Sequence, residues 1–150
     1  MNTFWKKTFT LVALVFAGTA SAHDQLGNLG KSAGATDLYI VTCSNDGSGA
    51  TAKLSTSVTV PAGTTANGVK VSVRTVAIRP PLSFKATNTT DAYNTDLLSS
   101  PVVNTLGTDG DFYVSVGKSA TGLAAYQLAF HCLTSTNAHT GADIMMVQNQ

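Results

Sequence analysis

Short stretches of this chain alternate between apolar and polar residues, which is the pattern of β-strands that bury one face. The clearest alternation is Val69–Thr75, where three valines are interleaved with Lys70, Ser72 and Arg74. We expect a strand there with one buried and one exposed face. By the same pattern we predict strands at Asp37–Cys43, Leu54–Val60, Val69–Thr75, Ser83–Ala86, Pro101–Leu106, Phe112–Val116 and Ala124–Cys132.

Turn-forming residues separate these segments, and no segment keeps an apolar period of 3.6 residues over the length of a helix. Many short strands with turns between them predict an all-β fold, an antiparallel β-sandwich or jelly-roll-like single domain over residues 36–150. A long loop is expected between Ala86 and Pro101. The apolar run Ile144–Val147 is too short to decide between a closing strand and a helical turn.

The first 22 residues have the features of a signal peptide. Lys6 and Lys7 precede the apolar run Leu11–Ala17, and Ala20-Ser21-Ala22 forms a cleavage site of small residues. The run is shorter than the roughly 20 apolar residues that a membrane span needs, so we expect cleavage rather than the alternative of a retained anchor. The mature chain is therefore predicted to start at His23, to be periplasmic or secreted, and to lack a membrane span.

Residues 23–35 contain three glycines and only two large apolar residues, Leu26 and Leu29. This composition predicts a flexible N-terminal arm leading into the domain.

The chain has two cysteines, Cys43 and Cys132, each at the end of a predicted strand. Export to an oxidising compartment favours a disulfide between them, with two buried free thiols as the alternative. A loop of this length predicts a stabilisation of about 4–5 kcal/mol from chain entropy.

Two motifs of the chain resemble a known family. The strand that opens with Asp37-Leu38-Tyr39, and the later Gly110–Val116 followed by Tyr126-Gln127-Leu128, resemble bacterial pre-peptidase C-terminal domains over about half of the mature chain. The resemblance implies a jelly-roll-like β-sandwich on a secreted protein that is non-catalytic and assists secretion or binds carbohydrate, matrix or calcium. The cysteine pair is not part of that pattern.

The charge of the chain is low. All eight acidic residues are Asp, and seven of the nine basic residues follow the predicted leader. A chain without a basic patch is not expected to bind nucleic acid.

Motifs for catalysis are absent from the sequence. It has no G-x-S-x-G elbow, no phosphate-binding loop, no dinucleotide fingerprint and no Glu, and both cysteines are assigned to the disulfide. We therefore predict that the protein is not an enzyme.

Histidines offer a candidate copper site. Cleavage before His23 would leave an amine and an imidazole on one residue, and such nitrogens suit Cu(II). The alternative is that the histidines are solvated and hold no metal. The predicted ligands are His23, His131 and His139, with Asp24 or Asp143 as an oxygen donor.

Calcium is a weaker candidate. Asp46, Asp109 and Asp111 lie in predicted turns and could offer oxygens, although aspartate in a tight turn usually serves the turn itself.

The sequence therefore predicts a secreted or periplasmic, non-catalytic binding or matrix module, with an unknown ligand or cell-surface component as its partner. A periplasmic copper-binding protein is one alternative. A structural subunit of a surface assembly is another, although the arm lacks the apolar alternation of a donated strand.

Overall fold

The computed structural model describes residues 23–64, 69–78, 86–92 and 99–150, and the predicted leader lies outside them. Within these ranges the chain forms nine β-strands: β1 His23–Leu29, β2 Thr36–Ser44, β3 Lys53–Thr59, β4 Lys70–Ala77, β5 Ala86–Ala92, β6 Val103–Leu106, β7 Gly110–Lys118, β8 Ala124–Leu133 and β9 Gly141–Gln148. The prediction of an all-β fold is confirmed.

Two antiparallel sheets pack face to face as a sandwich. The four-stranded sheet has the order β1-β8-β3-β6, and the five-stranded sheet has the order β5-β4-β7-β2-β9. Among the described strands, β4 and β5 are the one consecutive pair that lie side by side. Most connections therefore cross from one sheet to the other, which is the arrangement of a β-sandwich.

The core lies between the sheets because alternate residues of the central strands point inward. In β8, for example, every second residue from Ala124 to Cys132 is buried. Each fully buried aliphatic or aromatic side chain contributes roughly 1.5–3 kcal/mol. The buried core includes Leu29, Tyr39, Val41, Leu54, Val58, Val60, Val69, Val71, Val73, Phe112, Val114, Val116, Tyr126, Leu128 and Phe130.

The predicted disulfide is confirmed. Cys43 on β2 and Cys132 on β8 are bonded, with a Cα–Cα distance of 5.6 Å and a sequence separation of 89 residues. Both cysteines are buried. Because β2 and β8 belong to different sheets, the bond fastens the two layers across the core.

The N-terminal segment differs from the predicted flexible arm. Residues 23–29 form β1, which pairs with β8 along its whole length at the edge of the four-stranded sheet. Backbone pairing holds this strand, since alternate side chains are exposed and only Leu29 is fully buried. The sequence of residues 23–29 did not predict this strand because few of its side chains are large and apolar.

The two edges of the five-stranded sheet lie where the sequence predicted a loop or left the element undecided. The predicted long loop contains β5, which pairs with β4 although its sequence has no large apolar residue. The predicted strand at Ser83–Ala86 lies outside the described residues except for Ala86. The undecided run Ile144–Val147 belongs to β9, which pairs with β2.

Candidate functional site

A buried polar cluster joins the two sheets near one end of the sandwich. Asp37 is fully buried on β2, and the Tyr126 hydroxyl donates to its Oδ2 at 2.5 Å. Because that bond uses the only hydroxyl proton of Tyr126, the 2.5 Å contact between the two tyrosines requires Tyr39 to donate to Tyr126. The second Asp37 oxygen accepts from the backbone nitrogen of Gln150 at 2.8 Å.

Burial sets the electrostatics of this cluster. It raises the pKa of Tyr126, and the hydrogen bond to Asp37 raises it further. Burial also raises the pKa of Tyr39. Both phenols therefore stay protonated at neutral pH, so that Tyr39 donates to Tyr126 and Tyr126 donates to the buried Asp37. All three side chains are fully enclosed, so the cluster has a structural role rather than a binding role.

The outer face of the five-stranded sheet carries a row of apolar side chains. Val76 pairs with Tyr113, Tyr113 with Ile40, and Ile40 with Met145, so four neighbouring strands contribute one residue each. Directly paired residues share a face of the sheet, and the flanking inward positions Ala77, Phe112 and Val41 are buried. The row therefore points to solvent.

A shallow pocket of about 370 Å³ lies beside this row and is lined by Leu38, Arg74, Val76, Tyr113 and Ser115. Tyr113 keeps 39% of its surface exposed and Met145 keeps 58%. We call the row and the pocket together the Tyr113 face. It combines aliphatic and aromatic area with one guanidinium and the hydroxyls of Tyr113 and Ser115, which is the composition of sites that bind small or extended ligands.

Sequence reasoning missed the Tyr113 face. The sequence predicts a strand at Phe112–Val116, which the structure confirms with Phe112, Val114 and Val116 buried, but the outward side chains of neighbouring strands were not recognised as one surface. Apolar residues at outward-facing positions of two strands could have indicated this surface. They are Leu38 and Ile40 on β2 and Tyr113 on β7.

The three histidines lie near one another on and around β8. His131 points outward from β8, and its ring meets the ring of His139 edge-on, with a centroid distance of 4.9 Å. The ring of His23 instead stacks on Phe130 at 5.5 Å, which places it toward the core side of the four-stranded sheet. The structure therefore brings two imidazoles together, and the third turns away from them.

The environment of His131 is unusual for a surface histidine. Its Nδ1 atom is buried and has no hydrogen-bond partner. Burial lowers the pKa of His131, and the neighbouring His139 and His23 lower it further, against an opposing effect of Asp24. A neutral imidazole with an unpaired nitrogen is available as an acceptor or a ligand.

The remaining predicted ligands are engaged locally. Asp24 Oδ2 accepts from the side chain of Gln127 at 2.8 Å, and Asp143 Oδ1 accepts from the next backbone nitrogen at 2.9 Å. Across the described ranges, no three acidic, histidine or cysteine side chains gather in a metal-binding group. Of the predicted copper ligands, the imidazoles of His131 and His139 are the pair that the structure brings into contact. The copper site stays a prediction.

The predicted calcium ligands also serve nearby groups. Asp46 Oδ1 accepts from the backbone nitrogen of Ser48 at 3.0 Å, and hydrogen bonds from Ser48 lower the pKa of Asp46. Asp109 Oδ1 accepts from the Thr51 nitrogen at 2.8 Å. Asp111 Oδ1 accepts from the Thr42 hydroxyl at 2.7 Å. Each carboxylate thus accepts a hydrogen bond from a nearby backbone or hydroxyl group, and the calcium assignment stays a prediction.

A second pocket lies on the outer face of the four-stranded sheet. Its volume is about 420 Å³, and its lining is Asp24, Thr59, Pro61, Ser99, Gln127 and Ala129. This lining is more polar than that of the Tyr113 face and contains no aromatic ring.

Comparisons with family models, curated proteins and solved structures found no match to this chain. Within the described ranges, the structure has no helix with the length and apolar content that a bilayer crossing requires. The structure by itself defines a disulfide-bonded β-sandwich domain, and a buried disulfide is typical of proteins that fold outside the cytoplasm.

Proposed function

We propose that this chain is an exported, non-catalytic binding module that docks a matrix polysaccharide on the Tyr113 face. The observation that carries the proposal is the outward row of Val76, Tyr113, Ile40 and Met145 across four adjacent strands. A solvent-facing apolar row of this kind is a feature that soluble domains generally use for binding. The predicted leader and the disulfide support a periplasmic or secreted location.

The chemistry of the Tyr113 face favours a polysaccharide over a strongly charged partner. Sugar rings present apolar C–H surfaces that pack on an aromatic ring and hydroxyls that need polar partners. Tyr113 supplies the ring, while Arg74 and Ser115 stand beside it in the same pocket. Arg74 is the one charged residue of that lining, so the pocket suits a neutral or weakly acidic chain.

A non-catalytic role is supported by the sequence and by the shape of this surface. The chain has no Glu, and both cysteines are bonded to each other. The Tyr113 face is an open sheet surface, which suits holding an extended polymer better than enclosing a reacting bond. The resemblance to pre-peptidase C-terminal domains supports the same assignment.

Truncation of Tyr113 tests this proposal. We expect the mature protein to be retarded in native gels containing dextran, hydroxyethyl cellulose or xylan, and Tyr113→Ala to weaken the retardation by about tenfold or more, as loss of a central aromatic contact does. The matched control is Leu123→Ala, because Leu123 is 56% exposed but lies in the β7–β8 turn.

Two results would contradict the proposal. One is equal retardation of Tyr113→Ala and the unchanged protein on every polysaccharide that binds. The other is sedimentation showing that the protein forms oligomers that dissociate in Tyr113→Ala. That result would assign the Tyr113 face to contacts between copies, as in the structural subunit that the sequence left as an alternative.

A further inference from the structure

The contact between His131 and His139 lies at the four-stranded sheet, opposite the Tyr113 face, and it brings two potential metal ligands together. The two ring centroids are 4.9 Å apart, and the Nδ1 atom of His131 is buried without a hydrogen-bond partner. A buried polar atom that is left unpaired destabilises the folded state. A metal ion that accepted the lone pair of this nitrogen would give it a partner.

A hydrogen-bonded turn holds His139 in place against β8. The Thr134 nitrogen donates to the Ala138 carbonyl, and the Thr140 nitrogen donates to the Cys132 carbonyl, both at 2.9 Å. Asn137 takes the left-handed conformation that the turn needs, with φ of 67°, and its side chain accepts from Lys53 at 2.6 Å. His131 lies on β8 and His139 lies in an ordered turn, so the two imidazoles are held in place and less entropy is lost on binding a ligand.

The start of β1 supplies a third nitrogen at the same place. His23 pairs with Phe130, the neighbour of His131 on β8. Cleavage after Ala22 would turn the backbone nitrogen of His23 into an α-amine, which lies one strand spacing, about 4.8 Å, from the β8 backbone beside His131. The His23 ring stacks on Phe130 and does not take part.

We propose that one Cu(II) ion binds to the imidazoles of His131 and His139 together with the α-amine of His23 in the processed chain. Neutral nitrogen donors of these two types favour Cu(II) among the divalent first-row metals. The Asp24 carboxylate, on the strand beside His131, adds negative charge near the site. The proposal depends on the predicted cleavage and is independent of ligand binding at the Tyr113 face.

Copper titration of the chain that begins at His23 tests the site. We expect binding of one ion per chain, with nitrogen hyperfine coupling in the electron spin resonance spectrum. His131→Ala and His139→Ala should each weaken binding by about tenfold or more, as should acetylation of the His23 amine. His23→Ala keeps the amine and should change the affinity by less than about threefold.

The controls separate this site from a simple chelate at the N-terminus. Gln127→Ala alters the same face of β8 without removing a proposed ligand and should bind copper as the unchanged protein does. His131→Gln keeps much of the side-chain volume, so comparing its thermal unfolding and copper affinity with those of His131→Ala separates misfolding from ligand loss. Full binding by His131→Ala and His139→Ala, or loss of binding in His23→Ala alone, would overturn the proposal.

Discussion

At the residue scale, position 27 is where the sandwich needs a glycine for reasons of space. A Cβ atom built on Gly27 would overlap the ring of Tyr126. Tyr126 cannot move away easily, because its hydroxyl is fixed between Asp37 and Tyr39. The glycine of β1 therefore makes room for the ring that reaches the buried carboxylate.

We predict that Gly27→Ala lowers the free energy of unfolding by about 1–3 kcal/mol, which is the usual cost of overpacking a core. Gly34→Ala is the matched control, since a Cβ there meets no atom within 4 Å. Urea denaturation of both variants measures the difference. Equal stability of the two variants would mean that the Tyr126 ring is not held as the structure shows.

The buried tyrosines predict a loss of stability in alkali. Both have an ordinary pKa of 10.0, which burial raises in the folded state. Their contribution to stability is complete below about pH 10 and falls as the pH rises above it, because the unfolded chain then releases protons that the folded chain retains. Each such tyrosine adds a slope of about 1.4 kcal/mol per pH unit.

Urea denaturation between about pH 9 and pH 11 measures that slope. Tyr126→Phe should be less stable at neutral pH, because it leaves Asp37 with one donor fewer, and its stability should fall less steeply in alkali. Identical alkaline slopes for Tyr126→Phe and the unchanged protein would show that this phenol is not protected from ionisation.

At the element scale, the strands that could be predicted are those whose side chains do most of the packing. β4, β7 and β8 bury every second residue, so their sequences alternate and their inward faces could be named in advance. β1 and β5 lie at sheet edges, each pairs with one neighbouring strand, and their sequences contain few or no large apolar residues. Backbone hydrogen bonds are the same for every residue type except proline, so they leave little trace in a sequence.

The candidate sites also divide into those that could be predicted from the sequence and those that could not. The disulfide could be predicted because two cysteines allow one pairing. The Tyr113 face could not, because it depends on register: Val76, Tyr113, Ile40 and Met145 come from four strands whose side-by-side order is not written in any one segment. The contact of His131 with His139 depends in turn on the course of the Thr134–Thr140 turn.

At the scale of the whole molecule, two layers are fastened across their core by one covalent bond. The Cys43–Cys132 disulfide joins β2, which carries part of the Tyr113 face, to β8, which carries His131. The two proposed sites thus lie on opposite outer surfaces of one linked sandwich.

We predict that replacing both cysteines with alanine lowers the free energy of unfolding by about 4–5 kcal/mol, since the unfolded chain regains the freedom of a long loop. Denaturant unfolding of the double variant and of the oxidised protein measures this difference. A change below about 1 kcal/mol would show that the bond restricts the unfolded chain far less than its long sequence separation implies.

The central claim is that the molecule binds its partner through the outer face of the five-stranded sheet. Amide resonances of the isotope-labelled mature protein, followed during titration with whichever polysaccharide retards it in gels, test this claim residue by residue. We predict shifts centred on Ile40, Val76, Tyr113 and Met145, and no comparable shifts along β3 and β8. Shifts centred on the four-stranded sheet would contradict the claim.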